Sequence, residues 1–140
     1  MSPMRRFPLA AIVAAVLFSS ACSNSPTAAT TTTATTTITV TDTFSGTLSR
    51  NGASSYAFSV SAAGTVIATL TSVAESTTVV GLSLGTWNGS SCSIVLSNDQ
   101  AIQGTTIFGS VTAIGTLCAR VYDVGKVGSP LDYQISVTHP

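Results

Sequence analysis

A chain of 140 residues has room for one domain of about 100 residues and a short additional segment. Only 7% of its residues are charged, five basic and five acidic, and it has one histidine. That composition excludes a basic footprint for nucleic acid or for an anionic membrane surface, and a histidine-pair metal site. The scattered acids form no calcium loop, and no cofactor is implied.

The first predicted element is a targeting segment. Arg5 and Arg6 precede an unbroken apolar run over residues 9–18, followed by Ser19-Ser20-Ala21 and then Cys22. The run is too short for a bilayer, which needs roughly 20 residues. A basic start, an apolar stretch and small residues before a cleavage point describe a secretory signal. Residues 1–21 read as a signal peptide, and Cys22 as the lipidated N-terminus of a bacterial lipoprotein. Ser19 stands where the lipobox usually carries Leu, so plain secretion and an uncleaved anchor stay open as alternatives. Met4 and Phe7-Pro8 do not match the flanks of a twin-arginine signal, and Arg5-Arg6 reads as an ordinary basic start. Ser23 and Asn24 lack the Asp that retains many lipoproteins at the inner membrane. The expected address is therefore extracytoplasmic, lipid-anchored in the outer membrane, with the bilayer as a partner.

Residues 22–37 come next. Beyond Cys22 they are Ser, Asn, Pro, Ala and, above all, Thr. Such a stretch cannot bury enough apolar surface to offset the entropy of ordering. It is expected to act as a flexible spacer with a typical end-to-end distance of about 20 Å.

From Ile38 the character changes, and residues 38–140 read as one β domain. Runs rich in Val, Ile, Thr and aromatics alternate with Gly, Asn and Ser breaks, the pattern of an antiparallel sandwich. Strands are predicted over 39–49, 54–61, 65–72, 78–87, 91–97, 105–112, 116–124 and 131–138. Tyr56, Phe58 and Val60 share one face, as do Val66, Ala68 and Leu70, then Leu117, Ala119 and Val121, then Tyr133, Ile135 and Val137. The fold class is all-β: a jelly-roll-like antiparallel sandwich of about eight strands. Asn88-Gly89 predicts a tight hairpin. A three-residue loop there would align Leu84 with Ile94 and gather Leu82, Leu84, Ile94 and Leu96 on one face.

In an exported domain disulfides persist. With Cys22 consumed by lipid, Cys92 and Cys118 are expected to pair. Strict alternation places Cys118 with Arg120 and Tyr122, opposite Leu117 and Val121, whereas Cys92 shares parity with Ile94 and Leu96. Pairing therefore requires a bulge, or Cys92 lying ahead of its strand.

Two stretches together resemble a known family. They are Phe44-Ser45-Gly46-Thr47-Leu48 with Ser55-Tyr56-Ala57-Phe58-Ser59-Val60 and Ala63-Gly64-Thr65-Val66, and Gly115-Thr116-Leu117-Cys118-Ala119-Arg120-Val121-Tyr122 with Tyr133-Gln134-Ile135-Ser136-Val137. Their order resembles the bacterial pre-peptidase C-terminal domain, a secreted β-sandwich usually appended to exported enzymes. The resemblance covers residues 41–137 and implies a sandwich outside the cytoplasm. In some relatives an acidic segment of the central strand contributes to calcium binding. The corresponding Val79-Val80-Gly81-Leu82-Ser83-Leu84-Gly85-Thr86-Trp87 has no carboxylate.

Gly81-Leu82-Ser83-Leu84-Gly85 also matches G-x-S-x-G, and Ser83, an Asp and His139 follow in hydrolase order. That motif needs a strand–turn–helix setting. Here the serine sits in an alternating strand and His139 near an end expected to fray, so no catalytic residue is assigned. Ser97-Asn98-Asp99-Gln100 reads as a polar loop offering one carboxylate. Trp87 and Tyr122, with Asp99, are the candidate ligand-binding residues, since exposed aromatics stack on sugars. The expected function is a membrane-anchored, non-catalytic binding or structural module whose partner is an envelope protein or polysaccharide. A carbohydrate-binding module is the alternative, and a small serine hydrolase using Ser83 a more distant one.

Overall fold

The alternation read from the sequence becomes eight strands in a computed structural model that describes residues 36–140. They are β1 Val40–Leu48, β2 Ala53–Val60, β3 Gly64–Val73, β4 Val80–Trp87, β5 Cys92–Ala101, β6 Thr106–Val111, β7 Gly115–Tyr122 and β8 Leu131–His139. No helix occurs among the described residues. The signal peptide, Cys22 and most of the Thr-rich segment lie outside the described residues.

The strands form two four-stranded antiparallel sheets, ordered β1-β8-β3-β6 and β2-β7-β4-β5. β4 pairs with β5, β3 with β6, β2 with β7 and β1 with β8. This is one long hairpin rolled over itself, the jelly roll. The predicted faces point inward as the period-2 rule requires. Phe58, Val60, Val66, Ala68, Leu70, Ala119, Val121, Tyr133, Ile135 and Val137 are all buried. Each fully buried Leu, Ile or Val contributes roughly 1.5–3 kcal/mol, which makes this layer the main source of stability.

Because the strands alternate in direction, the turns gather at two ends. One end holds the short turns 61–63, 88–91 and 112–114 and the entry of the chain at Val40. The other holds turns 49–52, 74–79, 102–105 and 123–130. At this second end one carboxylate organises two loops. Asp123 Oδ2 accepts the Asn51 N–H at 2.8 Å, while its Oδ1 accepts those of Gly125, Lys126 and Val127 at 2.8, 2.8 and 3.0 Å. Its own N–H donates to the Gly52 carbonyl, and Asn51 takes a left-handed φ of 55° to bring its N–H round.

Those donated N–H groups, Asn51 and Val127 foremost, hold the Asp123 carboxyl at about 2, below its ordinary 3.8. The folded state therefore binds this proton less readily than the unfolded chain. Its stabilising contribution is full above about pH 4 and is lost as the pH falls through about 2. Asp123→Asn is expected to lower the melting temperature at neutral pH. Melts between pH 5 and pH 2 should show the gap to the parent protein closing; a constant gap would refute the assignment.

Three expectations need correction. β5 does not end at Ser97 but runs on to Ala101, so Ser97-Asn98-Asp99-Gln100 is strand and not loop. Val80 pairs with Ala101 and Leu82 with Asn98, which sets Asp99 and Gln100 opposite Gly81 alone, and Asn98 Oδ1 accepts the Gln100 N–H at 2.9 Å. A bulge absorbed polar residues that alternation alone assigned to a loop. The β4–β5 turn spans 88–91, with the Asn88 side chain accepting the Ser90 and Ser91 N–H groups. Leu84 consequently faces Leu96, not Ile94: the four-residue turn shifts the register by one, and a bulge at Val95 within β5 shifts it by one more. Ile94 and Leu96 stay partly exposed at the sheet edge instead of joining Leu82 and Leu84 in the core. Finally, His139 is not frayed. It is 3% exposed, with Nε2 3.1 Å from Asp42 Oδ2 and its ring 5.0 Å from that of Phe58. The Pro140 carbonyl also accepts the Ser61 N–H at 3.1 Å.

Candidate functional site

The outward side of sheet β2-β7-β4-β5 collects the chemistry-bearing side chains. β4 supplies Gly81, Ser83 and Gly85 to it, and β7 supplies Cys118, Arg120 and Tyr122 in register with them. Glycines at alternate positions of a strand mark places where something approaches the backbone closely. Both glycines serve that purpose here.

Over Gly85 runs the start of β5. A Cβ on Gly85 would fall on the Ser93 carbonyl group. Strands two apart in a sheet lie roughly 9.5 Å from one another, yet the Cα atoms of Cys92 on β5 and Cys118 on β7 are 5.7 Å apart. The bulge at Val95 and the bare backbone of Gly85 let β5 fold over β4, and the Cys92–Cys118 disulfide closes across it. Of the two arrangements that parity left open, the bulge is the one present.

Over Gly81 lies the Tyr122 ring, on which an added Cβ would collide. From there the Tyr122 hydroxyl donates to Asp99 Oδ1 on β5. Burial, then the Asp99 hydrogen bond and charge, push the Tyr122 phenol above its ordinary value, so it remains a neutral donor at physiological pH. The Arg120 guanidinium stands 5.7 Å from the Tyr122 ring centroid. Between Arg120 and Ser97 in the register is Ser83, fully buried. Ser83 Oγ and Arg120 Nε have no hydrogen-bond partner among the described residues.

Two of the three expected ligand residues, Tyr122 and Asp99, are thus brought together. Trp87 is not with them. It lies six residues along β4 from Gly81, roughly 20 Å away, beside the 88–91 turn. Tyr56 and Tyr133, joined by a 2.8 Å hydrogen bond, point into the interior near Phe44 and form no platform with either. Burial, chiefly, drives the Tyr133 phenol far above its ordinary value.

Ser83 and His139 do not meet. Ser83 sits mid-strand in one sheet, while His139 ends β8 in the other and is engaged by Asp42 and Pro140. No group of three or more His, Cys, Asp or Glu side chains gathers among the described residues. Sequence reasoning missed the unpartnered Ser83–Arg120 pair. The glycine spacing around Ser83 was the available signal, since it announces a covered strand. No family model matches the chain, and no curated protein is detectably similar to it.

Proposed function

We propose that this is an exported lipoprotein: Cys22 carries the lipid, the Thr-rich segment spaces it, and the jelly roll is a non-catalytic binding or structural module. The observation that carries the reading is the Cys92–Cys118 disulfide. It belongs to an oxidising compartment, and it accounts for both cysteines of the domain, leaving Cys22 alone behind its apolar run. The resemblance to pre-peptidase C-terminal domains fits such a module. The contact surface is the end with the longer loops, where Arg50, Glu75 and Lys126 supply polar contacts for an envelope protein or polysaccharide. Cells fed labelled palmitate should label the protein, and Cys22→Ala should abolish the label. Label retained by Cys22→Ala would refute the anchor.

A further inference from the structure

The two ends of the sandwich differ sharply in charge. Arg50, Glu75, Asp99, Arg120, Asp123, Lys126 and Asp132 all stand in the half with the longer loops. Among its side chains the opposite half has one carboxylate, Asp42, which is paired with His139, and Pro140 packs beside the 61–63 turn there. Its turns 61–63, 88–91 and 112–114 consist of small, polar-neutral and apolar residues. Ile114 at the tip of one turn is 73% exposed, Ile38 is 78% exposed and Val40 44%. Val95 on β5 flanks this end at 78%, and the half-buried Trp87 borders the 88–91 turn.

This uncharged end is also where the chain enters the sandwich, at Val40. The spacer expected from the sequence, of about 20 Å, would join Cys22 to the domain at that point. We infer that the uncharged end is a bilayer-docking surface: Ile38, Val40, Trp87, Val95 and Ile114 rest in the lipid interface, and the charged loops face away. The inference rests on the anchored reading of Cys22. An anchored domain samples the surface at high effective concentration, so a modest apolar patch suffices to hold it there. Tryptophan favours that interface, where its ring is apolar and its N–H wet. The attraction is apolar, and raising the salt should not release it.

Trp87 is the only tryptophan in the chain and therefore reports this end alone. The full-length protein, extracted from membranes, would be reconstituted in phosphatidylethanolamine–phosphatidylglycerol vesicles with brominated acyl chains. Trp87 emission is expected to be quenched by the bromines and protected from acrylamide. Ile114→Asp, at an exposed turn that tolerates the change, should lose most of that quenching while melting as the parent does. The mass of the Cys22 peptide reads the anchor separately. Lipidated protein whose Trp87 stays open to acrylamide and unquenched would overturn the docking alone. An unmodified Cys22 would overturn the anchored reading and the docking with it. Shielding of Trp87 without vesicles, growing with protein concentration, would assign this end to a second copy and overturn the docking too.

Discussion

Replacing both Cys92 and Cys118 with Ala is expected to lower the stability of the domain by about 3.5 kcal/mol. The bond joins residues separated by 26 positions. Loop-closure entropy for that length, lost from the unfolded chain, gives the figure. For a domain of this size it corresponds to a fall in melting temperature of roughly 15–25 °C. Cys118 is fully buried, so Ala is the appropriate replacement, and a small cavity term adds to the loss. Thermal melts of the parent, with and without reductant, and of the double variant should fall in two groups: oxidised parent high, reduced parent and variant together low. A double variant that melts with the oxidised parent would show that the bond contributes nothing to the fold.

The second large effect is expected at Gly85. Any side chain there meets the β5 backbone at Ser93, which cannot move without lifting the arm that carries Cys92. Overpacking a fitted site costs typically 1–3 kcal/mol, and a clash with backbone instead of a flexible side chain places Gly85→Val at about 3 kcal/mol or above. The two changes should not add. Without the disulfide the start of β5 is free to lift, so Gly85→Val should cost distinctly less in the Cys92→Ala/Cys118→Ala background. Denaturant melts of the four proteins give the coupling. Thiol titration of Gly85→Val expressed under oxidising conditions should also find Cys92 and Cys118 partly reactive. Equal costs in both backgrounds would mean that Gly85 acts independently of the bond.

The strand pattern was readable because this sandwich buries one face and wets the other. The sets around Phe58, Leu70, Val121 and Ile135 alternate plainly, and glycine and asparagine breaks separate them. Long-range pairing was not readable. Nothing local says that β1 lies beside β8, or that β3 lies between β8 and β6. The failures cluster on β4 and β5, where both faces of β4 are covered and the period-2 signal loses its meaning. There the turn took one residue more than expected and β5 a second at Val95, and Asn98-Asp99-Gln100 was drawn into strand by a bulge. His139 looked frayed because its partner Asp42 is distant in sequence. The meeting of Tyr122 with Asp99 depends on the same bulge, and on Gly81 leaving room for a ring. The outward parity of Cys118, Arg120 and Tyr122 was legible; what covers them was not.

The cysteine assignment joins the address of the protein to its fold, and one mass measurement reads both. The protein would be purified from the membrane fraction, alkylated while denatured but unreduced, and weighed intact. The mass expected is that of residues 22–140 with lipid on Cys22, two hydrogens lost to the Cys92–Cys118 bond, and no alkyl group. A chain beginning elsewhere, or one carrying alkylated Cys22, would contradict the proposed lipid anchor, and alkylated Cys92 would contradict the disulfide.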